Sequence, residues 1–584
     1  SLGEGNIGWF EGGDYEYRRV FTLSDELRDK SLLLEFESVY HNAEVYLNGE
    51  KAAYRPYGYT NFYVELDPFL RRDGENELRV IARNADQPNS RWYSGTGIYR
   101  PVWLYAHGAA YIPPNGVRIE TMNIDPAIVR VTVQTSVPGE VRLDILDGET
   151  VVAHASGTGP FELPIPGAKL WSVDTPHLYT ARVTFDKDTA EERFGIRTLS
   201  WTPEKGVAIN GERVVLRGGC IHHDNGLLGA CSYPEAEERR VRILKAAGYN
   251  AIRSAHNPVS RAVLEACDEL GIMVLDEYVD MWYIHKTQFD YASLFEKNWR
   301  EDLRLMAEKD RNHPSVVMYS IGNEVSETAQ PRGIELTEQM VRRLHEVDPD
   351  RPVTCGINIF FNYLSSLGFG VYSDKKAEQE AAKTEKAKDK ETKDKKKKKA
   401  VGSEFINNVA GLLGAGFMKF GATLHGSDVK TRGAYAKLDV AGYNYGVNRY
   451  RHDLKKYPDR VILGSETFAG DAVAFYDLAK ENPALIGDFV WTGLDYLGEV
   501  GLGAWEYSAY APTFEHVPGW ITAGAGTIDL VGTETGQMAY TQMAFELSPV
   551  RIAVEPVCFS GEKHSPGRDA KLTRKQARHK KKEA

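Results

Sequence analysis

Two short apolar runs in this chain end in glutamate: VVMYSIGNE, Val316 to Glu324, and VILGSE, Val461 to Glu466. A β-branched run this short reads as a strand buried on both faces, the pattern of a parallel sheet. A carboxylate just past such a strand sits at the C-terminal mouth of the sheet, where (β/α)8 barrels collect their reactive groups. Glutamates from two different strands would supply an acid/base and a nucleophile, the pair that glycosidic bond cleavage needs. A strand-ending glutamate is as readily a salt-bridged rim residue, so the case rests on what the neighbouring strands carry.

Arg253, in NAIRSAHNP, is the best candidate for a cation beside the nucleophile, because a guanidinium stays charged and donates in two directions. A plain salt bridge is the alternative reading. His222, His223 and Asp224 follow one strand, and His256 and Asn257 follow the next. A histidine cluster invites a metal, but HHD has no third ligand at metal spacing, so the expectation is no metal and hydrogen bonds to hydroxyl groups or plain packing. Tyr443, Asn444 and Tyr445 end a further strand, and Trp491 ends another, with an apolar ring face to offer a sugar or the core. Asp276, Glu277 and Trp282 read as weaker candidates on the rim.

The elements that would position these residues fall into blocks. Residues 1–108 hold short strands such as YEYRRVFTL and AEVYLNGE, broken by Asn-Gly and Asp-Gly turns, which predicts a jelly-roll β-sandwich. Residues 109–202 continue in β with the strand rhythm of one immunoglobulin-like sandwich. From 203 to 546 strands alternate with amphipathic helices, among them PEAEERRVRILKAAG with Pro near its start and Gly after its end. That alternation predicts parallel strands with right-handed crossovers, and a count of eight closes a (β/α)8 TIM barrel. Residues 373–430 interrupt it. Asp374 to Lys399 is Lys, Glu, Asp, Ala and Thr with almost nothing to bury, so a solvated loop is expected there. The apolar, Gly-rich stretch after it is expected to fold back onto the barrel or a partner subunit. Residues 547–584 read as a partial β segment followed by a basic tail.

A length of 584 residues exceeds one core. The net charge of -11 argues against a nucleic-acid partner, whose phosphates need clustered positive charge. Five cysteines form no CxxC pair and one must stay unpaired, the pattern of a reducing compartment. No run of apolar residues is long enough to span a membrane. No signal-peptide pattern opens the chain, which begins at Ser1 rather than Met, and the expectation is cytoplasmic.

The order of sandwich, immunoglobulin-like domain and barrel, with SIGNE and GSE in the barrel, resembles glycoside hydrolase family 2, the β-galactosidases, β-glucuronidases and β-mannosidases. SRWYSGTGIYRPVWL (Ser90 to Leu104) is similar to that family's sandwich signature. RGGCIHHD, NAIRSAHNP, DRNHPSVVMYSIGNE and DFVWTGLDYLGE are similar to its first, second, fourth and eighth barrel strands. The resemblance implies Glu324 as acid/base, Glu466 as nucleophile, Asn323 on the sugar 2-hydroxyl, and one of the two tyrosines donating to the nucleophile. It also implies that the loop carrying Arg91 and Trp92 reaches the pocket from the sandwich. Mutual repulsion and burial would raise the acid while nearby cations keep the nucleophile ionised.

The Asn-x-Lys pair by which β-glucuronidases hold the uronate is not found after Trp491. The expectation is therefore a retaining exo-β-glycosidase of β-galactosidase type, with a β-glucuronidase or β-galacturonidase as alternative and a non-catalytic sugar-binding protein as a remote one. Its partners would be small or oligosaccharide glycosides and further copies of itself, as a homo-oligomer. No cofactor is required for such catalysis. Some relatives carry flavin mononucleotide at a surface site, and the insertion leaves room for one.

Overall fold

The computed structural model describes residues 4–370, 415–503, 505–506, 520–547 and 565–566. The Lys-rich stretch 374–399 and the C-terminal β segment and tail expected from the sequence lie outside the described residues, apart from Leu547 and the two at 565–566.

The N-terminal sandwich sets a four-stranded antiparallel sheet (Asp14–Phe21, Asn76–Arg83, Ala43–Leu47, Glu50–Arg55) over a three-stranded one (Phe62–Glu65, Ser31–Phe36, Val102–His107). Alternate residues of Ala43–Leu47 point inward, so Ala43, Val45 and Leu47 pack with Leu34, Phe36, Val64 and Val80 in its core. The second sandwich has a three-stranded and a four-stranded sheet around Val129, Val131, Leu143, Ile145 and Val183.

The barrel closes through eight parallel strands: Leu216–Ile221, Ala251–Ser254, Met273–Glu277, Val316–Asn323, Val353–Asn358, Ala441–Asn444, Ile462–Thr467 and Leu485–Val490. All but the first are buried at every position, which is why they read as unbroken apolar runs. The helices between them begin and end where local chemistry dictates. Pro234 opens Pro234–Ala246, where its missing N–H costs nothing. Ser260 Oγ accepts from the Val263 amide at the start of Arg261–Leu270, and Gly271 closes that helix at φ 68°. In the last part of the insertion, Phe417 of the helix Ala415–Gly421 meets Phe360 edge-on and Lys419 pairs with Asp471, so these residues do return to the barrel, while the apolar stretch before residue 415 lies outside the described residues.

The three bodies are tied by buried groups. Trp171 Nε1 donates to the Asp268 carbonyl (2.9 Å), and Arg197 donates to the carbonyls of Pro314 and Val316 (both 2.7 Å), gripping the base of the fourth strand. From the first sandwich, Arg55 forms a buried ion pair with Asp302, whose other oxygen accepts from Tyr278 (2.6 Å) and Tyr291 (2.7 Å).

Candidate active site

The fourth and seventh strands carry Glu324 and Glu466 to the same end of the barrel, and the sixth, packed beside the seventh, carries the residue that links them. Asn444 is the register partner of Glu466, reached after a bulge in that pairing. Its Nδ2 lies 3.1 Å from Glu466 Oε2 and 3.4 Å from Glu324 Oε1. The two carboxyl oxygens therefore cannot be further apart than those two distances laid end to end. That upper limit accommodates the separation of about 5–5.5 Å typical of retaining pairs and falls at the bottom of the about 6.5–9.5 Å range of inverting ones. Asn358 Nδ2 gives Glu324 Oε1 a second donor at 2.8 Å.

Glu466 is buried and surrounded by donors. Arg253 Nη1 stands 3.1 Å from Oε2, and the Tyr445 hydroxyl donates to Oε1. Burial, and then the charge of Glu324, push the Glu466 carboxyl up to about 8; Arg253 and Tyr445 pull it back only in part. This differs from the expectation that cations would keep the nucleophile ionised, and the reason is visible in the geometry. Arg253 also meets Glu277, through Nε to Oε2 (3.0 Å) and Nη2 to Oε2 (2.7 Å) and Oε1 (3.0 Å). One positive charge serves two carboxylates. At neutral pH the Glu466 carboxyl accordingly favours its protonated form.

Glu277 is not on the rim. It is fully buried, and it also accepts from Ser320 Oγ (2.7 Å) and pairs with His256 Nδ1 (2.7 Å). Burial would raise its carboxyl, but Arg253, His256 and Ser320 outweigh burial and hold it below the usual range. Asn323 joins the same net, its Oδ1 accepting from Arg253 and Asn444 (each 3.0 Å) and its Nδ2 donating to Asp280 (3.1 Å). The His256 ring lies flat on Trp491, with centroids 5.3 Å apart and 7° between planes. His222 stacks on Tyr496 and meets Trp491 edge-on, while Trp92 packs against His222 and His256. Burial drives the His222 and His256 rings toward the neutral form. The Nδ2 of buried Asn257 has no hydrogen-bond partner among the described residues.

Several expected contacts go elsewhere. Tyr443 faces away from the barrel axis: its hydroxyl donates to Asp453 (2.6 Å) and accepts from Arg460 (2.8 Å). Regular alternation would put Tyr445 on the same face as Tyr443, but the bulge between Gly442 and Asn444 and the φ of 56° at Tyr445 turn its hydroxyl, alone of the pair, to the nucleophile candidate. The His223 ring sits against Tyr59 and Tyr99 and contacts the Ser94 carbonyl (3.1 Å), which makes it a bridge to the sandwich. Asp224 accepts from the Gly226 amide (3.1 Å), and burial raises its carboxyl to about 7. Arg91 does reach the barrel mouth, but its guanidinium is taken by Asp280 (2.7 and 3.2 Å) and faces Glu499 at 3.6 Å. Asp276 turns toward Ser254 (2.9 Å), and Trp282 donates to the Ile321 carbonyl (2.8 Å), fully buried.

The sequence reading missed Asp280, Lys286 and Asn358. Lys286 Nζ contacts Asp280 (2.8 Å) and the Asn323 carbonyl (2.7 Å). Of these, only Asn358, at the end of the fifth strand, had a positional signal. Glu324, Tyr445 and Glu499 have φ of 45°, 56° and 40°, a left-handed conformation that side chains other than glycine adopt at a cost and that gathers at functional sites. Among the described residues no group of three or more His, Cys, Asp or Glu is placed to hold a metal ion.

Three family models match the chain in order. They are the glycosyl hydrolase 2 galactose-binding domain-like model over residues 1–101, the glycosyl hydrolases family 2 model over 116–197, and the family 2 TIM barrel model over 203–425. The chain belongs to glycoside hydrolase family 2. A β-galactosidase of Bacteroides ovatus, BoGH2A, is 36% identical over 409 residues, which are 61% of this chain and 47% of that protein. A putative β-glucuronidase of Formosa agariphila is 29% identical over 517 residues, 85% of this chain and 47% of its own length. The crystal structure of a family 2 member from Bacteroides cellulosilyticus superposes with a TM-score of 0.77 at 31% identity, over 93% of this chain and 64% of that one. The chain thus spans about half the length of the curated relatives it matches.

Proposed function

We propose that the protein is a retaining exo-β-glycosidase for neutral terminal sugars, β-galactosides first. The observation that carries this is the single amide, Asn444 Nδ2, within reach of both Glu324 and Glu466, with Tyr445 and Arg253 completing the shell of Glu466 alone. In this reading Glu324 protonates the glycosidic oxygen while Glu466 attacks the anomeric carbon, so the aglycone leaves as a neutral alcohol and a glycosyl ester forms. Glu324, now ionised, takes a proton from water, which attacks the same carbon and returns Glu466 as carboxylate. Positive charge growing at the anomeric carbon favours the anion on Glu466 and leaves the shared proton to Glu324. The chemistry is carried by carboxyls, and no cofactor enters a step.

The preference for a neutral sugar rests on charge. Arg253 is paired with Glu277 and Glu466, Arg91 with Asp280 and Glu499, and Lys286 with Asp280. None of these three is left to meet a uronate. A β-glucuronide is the second reading, supported by the Formosa relative, which matches the larger share of this chain. Nitrophenyl β-galactoside, β-glucuronide, β-galacturonide and β-mannoside separate the readings, with the highest kcat/KM expected for the galactoside. Proton NMR of the first-formed sugar should show the β-anomer; appearance of the α-anomer first would remove the double-displacement mechanism.

A further inference from the structure

Arg253 has no exposed surface and its N–H groups are all spoken for. Nη1 serves Glu466 (3.1 Å) and the Ser465 carbonyl (2.8 Å), Nη2 serves Asn323 (3.0 Å) and Glu277, and Nε serves Glu277. Glu277 is thus the chief counter-ion of the residue that contacts the nucleophile candidate. It touches neither dyad glutamate in any hydrogen bond, yet it also sets the His256 ring that lies on Trp491. Its own orientation is overdetermined by Ser320 Oγ on the side chain and Ser254 Oγ on its backbone amide (2.7 Å each).

We propose that Glu277 is a positioning residue that tunes the nucleophile through Arg253, holding the guanidinium in place and taking up part of its charge so that the Glu324–Glu466 pair keeps its catalytic proton at neutral pH. The proposal rests on the assignment of Glu466 as nucleophile. The groups facing Glu466 are Glu324, Arg253, Tyr445 and, behind Arg253, the Cys220 thiol, whose burial pushes it far above the working range. Those facing Glu277 are Arg253, His256, Ser320 and the Cys355 thiol, also raised by burial. None of the other groups replaces Glu277 as the second anion on Arg253.

The sign follows directly. Glu277→Gln removes a negative charge from the network and leaves the whole guanidinium to Glu466, which favours the ionised nucleophile. The pair then loses its last proton earlier, so the falling limb of kcat/KM against pH moves down by about one pH unit. With Arg253 and His256 less firmly held, kcat should drop about 10- to 100-fold while KM changes by less than about threefold. A purely structural role for Glu277 would lower the unfolding midpoint and leave the limb where it was.

The titration of Glu466 is also read without turnover, from the carboxyl-stretch difference infrared spectrum of the full chain minus Glu466→Gln across pH, with and without Glu277→Gln. A titration moved downward in a protein that cleaves no glycoside overturns the hydrolase reading alone. An active, folded Glu277→Gln with an unmoved limb and titration overturns the role given to Glu277. Glu277→Asp keeps the charge and shortens the reach, so it tests the idea even where the glutamine variant is recovered unfolded. Its kcat should fall while the limb stays within about 0.3 pH unit of the parent, and a downward shift of a full unit would defeat the charge argument.

Discussion

Replacing Tyr445 by Phe keeps the ring against Phe468, 4.5 Å away between centroids, and removes only the hydroxyl that donates to Glu466. A hydrogen bond to a charged acceptor is worth about 1.5–3 kcal/mol, or about one to two pKa units on the group that accepts it. Tyr445 favours the anion, so its loss pushes the Glu466 carboxyl further up from about 8. The falling limb of kcat/KM should then move up by about one to two pH units, opposite to the shift expected for Glu277→Gln. In the second half of the reaction Glu466 departs as a carboxylate, and without its donor that step slows by about 10- to 100-fold. Stopped-flow release of nitrophenol should therefore show a burst. The companion Tyr443→Phe removes a hydroxyl that faces Asp453 outside the barrel, so it should leave the limb unmoved and cost about 1 kcal/mol of stability. A limb that moves in Tyr443→Phe and stays put in Tyr445→Phe would refute the geometry on which the assignment stands.

Glu466→Gln should reduce kcat by on the order of 10⁴-fold or more, and a loss of only tenfold would end its candidacy as nucleophile. Glu324→Gln should cost about 10²–10⁴-fold on alkyl glycosides but far less on dinitrophenyl ones, whose leaving group needs no proton. Equal losses on both would mean that Glu324 is not the acid. Arg91→Ala strands Asp280, which is 1% exposed, with Lys286 as its remaining cation, and should destabilise the fold by about 3 kcal/mol in urea titration. An unchanged urea midpoint would show that the pair contributes nothing.

The barrel was legible because strands buried on both faces stand out as apolar runs between amphipathic helices, and the two glutamates because each closes such a run. What local pattern could not supply was direction at the strand ends. Tyr443 and Tyr445 are one side-chain period apart, but the bulge at Gly442/Asn444 and the positive φ of Tyr445 decide which one turns toward Glu466. Glu277 closes an apolar run as Glu466 does, and only the folded neighbourhood shows that one receives four donors deep in the wall while the other faces Glu324. The sequence offers Arg91 as a substrate contact, and its guanidinium is bound to Asp280 instead. Its partner Asp280 stands 189 residues away, and no spacing rule reaches that far.

The first sandwich hands two arginines, Arg55 and Arg91, to aspartates inside the barrel wall, Asp302 and Asp280. Cutting the gene at the domain border would therefore not release an undisturbed barrel. It would strip the arginine from two acids of the barrel wall, leaving Asp302 with only its tyrosine donors and Asp280, beside the asparagine that abuts Glu324, with Lys286 alone. Whatever lineage assembled this chain could not later shed its leading module without first rewriting those two acids.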